Sequence, residues 1–289
     1  MLLLALAAGC TAAPELLVAP DAARDGLDGT DGPHGAAALA RVYPARITDT
    51  VATTVVVPAD ADGAVLPGPW PVAVFVHGGL VPPARYQWIA LHLATRGVVV
   101  ALPSSPLDLA IMASGNASAA LDGVLADADG GPLDGAVDTA APVLIGGHSL
   151  GGTVAALDWV ADDRFGALLL GASYPAGGSD TASRAGTPVL ALVGSDDGSA
   201  PPSDVAAQLG DLDCVYGVVD GLNHYGWTDD ATDKELANDG VASRPLEDAR
   251  RDLFRVFDRW ADAAFAGDVA TADAIATEAF ANVTFPERE

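Results

Sequence analysis

Short apolar runs alternate with amphipathic segments along most of the chain. The runs are rich in β-branched residues and bounded by Gly, Pro or Asp, which is typical of strands buried on both faces. The predicted strands are Thr50–Val57, Val72–Val76, Val98–Leu102, Val143–Ile145, Ala167–Leu170, Val189–Val193 and Val215–Val219.

The segments between these runs predict helices. One of them begins at Pro83 and is followed by Gly97, and proline at the start and glycine just past the end are both typical of helices. The predicted helices are Pro83–Thr95, Leu107–Leu125 with an interruption at Gly115, Leu150–Ala161, a short one at Val205–Leu209, Pro245–Phe265, and a last one within Asp268–Glu289. Strands that alternate with helices predict an α/β fold with a mostly parallel central sheet and helices on both faces.

Length and net charge limit the kinds of molecule that the chain can bind. The 289 residues suit one large domain, and the formal net charge is −25. Such an acidic chain repels nucleic acid, anionic lipid surfaces and polyanionic substrates, so we expect no nucleic-acid partner. We expect a monomer with a solvated acidic surface.

The N-terminus resembles a bacterial lipoprotein signal. An apolar stretch ends in Leu6-Ala-Ala-Gly-Cys10, where Cys10 would be lipidated after cleavage, although the usual basic residues before the apolar stretch are missing. We therefore expect a signal over residues 1–9, a flexible acidic linker over 10–35, and the folded domain over 36–289. The protein would be exported, either anchored to the cell envelope through Cys10, its only membrane contact, or secreted. The alternative is an ordinary apolar tail.

The strongest chemical signal is Gly147-His148-Ser149-Leu150-Gly151, which lies between a predicted buried strand and a predicted helix. A serine in such a tight strand-to-helix turn stands clear of the sheet, and the flanking glycines give its strained backbone room. The helix N-terminus favours negative charge at the reacting oxygen. Ser149 is the predicted nucleophile.

A serine nucleophile needs a base and a carboxylate that orients it. His224 follows the strand that ends at Val219 and is the predicted base. The carboxylate should follow the strand Val189–Val193, where Asp196 and Asp197 both qualify. The spacing favours Asp197.

Two backbone N–H groups should stabilise the oxyanion. Leu150 follows the nucleophile and supplies one. The loop His77-Gly78-Gly79-Leu80 follows an earlier strand and supplies the other from Gly79, with His77 as a structural brace. Leu80 and Tyr174 are candidate substrate-binding residues.

These motifs, together with the segment Tyr86–Pro103 and Asn223-His224, resemble the α/β-hydrolase superfamily, and within it the branch of chlorophyllases, platelet-activating-factor acetylhydrolases and cutinase-like polyester hydrolases. The resemblance covers residues 32–265. It implies an α/β-hydrolase fold and hydrolysis of a small or polymeric carboxylic ester through an acyl-enzyme, without metal or cofactor. Leu150 and Leu80 depart from the cutinase-like pattern, which puts polyester hydrolysis in doubt.

Other functions stay open at this point. A thioesterase, an amidase or peptidase, or a cofactor-free perhydrolase would use the same residues. A non-catalytic ligand-binding lipoprotein on a hydrolase fold is the alternative from a different class.

Overall fold

One mixed sheet runs through the centre of the molecule. The computed structural model describes residues 13–46 and 49–288. Within them the strands are β1 (Glu15–Val18), β2 (Gly35–Ala45), β3 (Asp49–Ala59), β4 (Val72–Val76), β5 (Val99–Pro103), β6 (Val143–His148), β7 (Phe165–Gly171), β8 (Val189–Gly194), β9 (Val215–Val219) and β10 (Val283–Thr284). Their order in the sheet is β1-β2-β3-β5-β4-β6-β7-β8-β9-β10.

The helices in the same part of the chain are α1 (Gln87–Thr95), α2 (Asn116–Asp127), α3 (Leu150–Ala161), α4 (Pro202–Leu209), α5 (Asp233–Leu236), α6 (Leu246–Phe265) and α7 (Val269–Ala274). Strands β4 to β9 pair in parallel, whereas β1, β2, β3 and β10 join antiparallel at the two sides. The predicted α/β-hydrolase fold class is confirmed.

The order of the parallel strands reverses near the middle of the sheet. The chain passes from β4 to its neighbour β5, then crosses back over β4 to β6, and continues outward through β7, β8 and β9. Crossovers between parallel strands are right-handed, so this reversal puts α1 and α2 on opposite faces. Open α/β sheets bind their ligands at such a reversal, which lies here at the carboxyl ends of β4 and β6.

Helix α6 covers one face of the sheet because its apolar residues recur at helical spacing. Leu253, Val256, Phe257, Trp260 and Ala264 are all buried, and the helix contacts β6 to β9. Its Phe254 ring packs on Trp88 of α1, with ring centroids 4.9 Å apart. Helices α2 and α3 pack against each other on the other face.

Three segments differ from the sequence-based expectation. Within the expected linker, Glu15–Val18 forms β1 against β2, so backbone pairing holds this part of the chain. The segment expected as one interrupted helix forms two 3₁₀ turns before α2, which begins after Gly115. The C-terminal tail forms α7 and then β10, which pairs with β9, because Val283 buries its side chain there.

In the part of the chain that the structure describes, no helix is long and apolar enough to span a bilayer. Cys10 and the expected signal lie outside the described residues.

Candidate active site

Ser149 occupies a strained turn between β6 and α3. Its backbone angles are φ 54° and ψ −130°, a region that a residue with a side chain enters only when the surrounding structure imposes it. A Cβ atom at Gly147 would lie 2.5 Å from the Gly151 carbonyl, and one at Gly151 would lie 2.2 Å from the His77 oxygen. The glycines around Ser149 are therefore sterically required, as the motif predicts.

Hydrogen bonds from neighbouring strands hold this turn. The Ser149 N–H donates to the Gly171 carbonyl at 2.8 Å, and the Ser173 hydroxyl donates to the Ser149 carbonyl at 2.6 Å. The turn thus depends on the end of β7. Ser173 was not singled out from the sequence, because nothing local marks its contact with a residue twenty-four positions away.

His224 and Asp197 form a buried pair after β9 and β8. Nδ1 of His224 donates to the Asp197 carboxylate, at 2.9 Å to Oδ2 and 3.1 Å to Oδ1. The same carboxylate accepts the backbone N–H groups of Ser199 and Ala200. The His224 ring centroid lies 4.5 Å from that of His148, the residue before Ser149. The structure therefore brings the imidazole to the serine turn and fixes its Nδ1 side.

The neighbouring Asp196 faces elsewhere. Its Oδ2 accepts the Ser243 N–H at 2.7 Å, and hydrogen bonds from the side chain and the N–H of Ser243 lower the pKa of the Asp196 carboxyl. Of the two carboxylates that the sequence left open, Asp197 is the one that meets His224.

The two residues predicted to supply the oxyanion donors are neighbours in the structure. A Cβ atom at Gly79 would lie 3.3 Å from Cδ2 of Leu150, so the two residues are in contact. No group in residues 13–46 or 49–288 accepts a hydrogen bond from the Gly79 or Leu150 backbone N–H. Leu150 also begins α3, whose N-terminal dipole favours an anion. Both donors can therefore serve a substrate oxygen.

A comparison with known protein families identifies the family of the chain. The model of the alpha/beta hydrolase family matches residues 72–244, which are more than half of the chain and include every candidate site residue described above. The chain belongs to the alpha/beta hydrolase family. No curated protein matches it. The family match does not distinguish the chlorophyllase-like or cutinase-like branch from others.

A buried polar cluster supports the loop His77–Leu80 of this α/β-hydrolase, which we call the oxyanion loop after its predicted role. Tyr86 accepts the Gly78 N–H at 2.9 Å, and its hydroxyl donates to Nδ1 of His148, also at 2.9 Å. Burial lowers the pKa of His148 well below its usual value, and the neighbouring His224 adds to the effect, so His148 is neutral and can accept this bond. Tyr86 thereby connects the loop after β4 to the residue before Ser149.

His77 braces the same loop. Its Nδ1 donates to the Gly78 carbonyl at 2.8 Å, and the Ser105 hydroxyl donates to its Nε2 at 2.7 Å. Burial lowers the pKa of His77, which keeps the ring neutral. The contacts fit the structural role expected for His77 and leave its ring nitrogens occupied. Neither Ser105 nor the hydroxyl of Tyr86 was marked by sequence, since both act through residues distant along the chain.

The two candidate substrate-binding residues have different surroundings in the α/β-hydrolase. Leu80 is 70% exposed next to Gly79. Tyr174 is half-buried and packs against the core, and its carbonyl accepts the Thr153 hydroxyl of α3 at 2.9 Å. Both lie in loops that lead into the Ser149 region.

Proposed function

We propose that this α/β-hydrolase cleaves carboxylic esters, with Ser149 as nucleophile, His224 as general base and Asp197 as the group that orients the base. The observation that carries the proposal is the buried hydrogen bond between His224 and Asp197 beside the strained Ser149 turn. The two unoccupied N–H groups of Gly79 and Leu150 support it, because an acyl-transfer oxyanion needs two such donors.

The reaction would proceed in two steps. Nε2 of His224 takes the Ser149 proton as Oγ attacks the ester carbonyl carbon, and the carbonyl oxygen becomes an oxyanion that accepts from Gly79 and Leu150. The C–O bond to the alcohol then breaks, and His224 returns the proton to the leaving alkoxide. Water, deprotonated by His224, hydrolyses the acyl-enzyme and regenerates Ser149. Asp197 holds the Nδ1–H tautomer and stabilises the transient imidazolium.

The test uses three variants, one at the nucleophile and one at each of the two aspartates. Replacing Ser149→Ala should abolish turnover of p-nitrophenyl acetate and labelling by a fluorophosphonate probe. Replacing Asp197→Asn should lower kcat by about 10⁴-fold, since the imidazole would lose its required tautomer. Asp196→Asn, a matched change one residue away, should leave kcat near the wild-type value.

Two results would contradict the proposed site or its activity, and a third would contradict the proposed bond. Folded Ser149→Ala protein that retains wild-type turnover would exclude Ser149 as nucleophile. Folded wild-type protein that is neither labelled nor active would favour a ligand-binding role. Labelling together with cleavage of thioesters or amides in preference to esters would keep the site residues and change the bond. The lipid anchor at Cys10 stays a prediction.

A further inference from the structure

A short segment after α5 lies across the two loops that supply the candidate acid and the candidate base. It runs over residues 238–243, and we call it the strap. The Asn223 side-chain amide donates to the Gly240 carbonyl at 2.9 Å. A Cβ atom at Gly240 would lie 1.7 Å from the Asp196 carbonyl oxygen, so the two main chains are in direct contact. The strap therefore contacts the residue before the acid and the residue before the base.

Asp239 in the strap binds both loops with one carboxylate. Its Oδ1 accepts the Gly198 N–H at 2.9 Å, and its Oδ2 accepts the Tyr225 N–H at 3.0 Å. Gly198 follows Asp197 in the chain, and Tyr225 follows His224. The loops after β8 and β9 are thus joined through the two oxygens of a single side chain.

The carboxylate of Asp239 is held in this orientation. The Gly240 N–H also donates to its Oδ1, at 2.7 Å. Hydrogen bonds from backbone N–H groups to a carboxylate are about twice as strong as bonds between neutral groups. Asp239 is half-buried, which reduces competition from water. These bonds therefore fix the distance between the two loops at this point.

The pair of His224 and Asp197 is also connected on its other side. The Asp196 N–H donates to the Leu222 carbonyl at 3.0 Å, which joins the two loops just before the pair. Asp239 joins them just after it. Nδ1 of His224 and Oδ2 of Asp197 therefore meet at 2.9 Å between two connections. Catalytic groups must be held within about 0.5 Å of their productive geometry, and the second connection supplies this constraint.

We propose that Asp239 is a positioning residue, which holds Asp197 and His224 at the separation that proton transfer from Ser149 requires. The inference rests on the proposed esterase function. Asp239 acts through the two loops and not on the reacting atoms.

The first test is the isosteric change Asp239→Asn. One carboxylate oxygen becomes an NH2 group, which cannot accept a hydrogen bond, so the N–H of Gly198 or of Tyr225 loses its partner. The kcat for p-nitrophenyl acetate should fall about tenfold, because the base is displaced from its best position. KM should change little. Steady-state kinetics that give wild-type kcat in folded Asp239→Asn protein would overturn the proposal.

Asp268→Asn is the matched control. Its Oδ1 accepts the Thr271 N–H at 3.0 Å and its Oδ2 accepts the Thr271 hydroxyl at 2.7 Å, so the change again replaces one of two accepting oxygens. A Cβ atom at the preceding Gly267 would lie 3.9 Å from Pro142, which precedes β6, so this carboxylate is at the end of the sheet opposite Ser149. Asp268→Asn should keep the wild-type kcat. An equal loss here would overturn the proposal.

A double-mutant cycle separates positioning from general damage to the fold. If Asp239 acts through the acid–base pair, its change should cost little once Asp197→Asn has already disrupted that pair. The double variant should then have a kcat within about twofold of that of Asp197→Asn alone. Two losses that multiply in full would overturn the proposal.

A proton NMR spectrum makes the test independent of turnover. The Nδ1 proton of His224, in its buried bond to Asp197, should give a low-field signal that His224→Gln removes. This signal should shift or broaden in Asp239→Asn and stay unchanged in Asp268→Asn. An unchanged signal in folded Asp239→Asn protein would overturn the proposal. If the wild-type protein turns over no ester but its signal still shifts in Asp239→Asn, the esterase proposal fails and the positioning role is supported.

Discussion

At the scale of single residues, Tyr86 has a larger role in the candidate site than its sequence context indicates. Its side chain is fully buried, and burial raises the pKa of its hydroxyl, so the proton stays available for His148. A Cβ atom at Gly78 would lie 2.7 Å from this hydroxyl. The Tyr86 oxygen thus sets where the backbone before Gly79 can lie.

Replacing Tyr86→Phe should therefore affect turnover more than substrate binding. The Gly78 N–H would lose its partner, the oxyanion loop would be held less firmly, and kcat for p-nitrophenyl acetate should fall by about tenfold with little change in KM. Steady-state kinetics on folded protein measures both constants.

Tyr43→Phe is the matched control for this change. The Tyr43 hydroxyl donates to buried Asp127 at 2.7 Å, away from the site. Each substitution should lower the free energy of unfolding by about 1 kcal/mol, but only Tyr86→Phe should lower kcat. If Tyr43→Phe reduces kcat equally, Tyr86 has only a general structural role.

At the scale of secondary-structure elements, α3 and α2 are joined by a buried carboxylate. Asp158 of α3 accepts the Gly115 N–H with both oxygens, at 2.8 and 3.0 Å, at the point where α2 begins. Burial raises the pKa of Asp158 to about 6, although the Gly115 hydrogen bond opposes the shift. This carboxyl is therefore harder to ionise in the folded chain than in the unfolded one.

The sign of the pH effect follows from that shift. Between about pH 4 and pH 6 the folded chain binds a proton at Asp158 that the unfolded chain has released, so the contribution of this group to stability falls as pH rises. Asp158→Asn should remove the loss and raise the free energy of unfolding relative to wild type by about 2 kcal/mol at pH 8, with a much smaller gain at pH 4. Urea unfolding at both pH values measures this gain in the free energy of unfolding, and the Asp129→Asn variant, at an exposed position, is the control. A gain of equal size at pH 4 would show that ionisation is not its cause.

The elements that sequence patterning predicted are those whose signal is local. β4 to β9 are short apolar runs, and α6 has an apolar face at helical spacing, so their identity is readable without knowing their neighbours. β2 was not predicted, because Gly35-Ala-Ala-Ala-Leu39 has low β propensity. It is a strand because it pairs with β3 along its full length.

The candidate site likewise contains residues that the sequence could place and residues that it could not. Ser149, His224 and the Gly79 loop could be placed from motifs that follow predicted strands. Spacing along the chain favours Asp197, but the choice between Asp197 and Asp196 depends on where each side chain points, and only the structure gives that. Ser173, Ser105 and the Tyr86 hydroxyl act through hydrogen bonds between distant segments, for which a single sequence carries no signal.

At the scale of the whole molecule, one buried histidine joins three distant parts of the chain. Nδ1 of His92 lies 3.0 Å from Asp31 in the N-terminal segment, and its Nε2 lies 2.9 Å from Asp258 of α6. Its ring stacks on Phe254 at 3.5 Å, Arg96 lies 3.5 Å from Asp258, and Arg24 lies near Asp31. Burial opposes charge on His92, but the hydrogen bonds to Asp258 and Asp31 outweigh it and raise the His92 pKa.

A raised pKa in the folded state means that the protonated form stabilises the fold. The contribution is complete below the unfolded value of about 6.5 and is lost as pH rises through the folded value, since a neutral ring can donate to only one of the two carboxylates. The free energy of unfolding of His92→Gln should therefore lie below that of wild type at pH 5.5, and the difference should shrink by pH 9. Chemical denaturation at the two pH values tests this. A difference that is constant across this range would mean that packing on Phe254, and not charge, is what His92 contributes.

The close approach of Gly151 to the His77 carbonyl has a consequence for reshaping this enzyme. Because the main chains of Gly151 and His77 meet with no room for a methyl group, any side chain at position 151 would displace the loop that carries Gly79. A directed-evolution library should therefore leave this position unchanged. Sequence diversity is better introduced in the segment 175–187, which follows β7 and contains none of the residues that hold the Ser149 turn or brace His77.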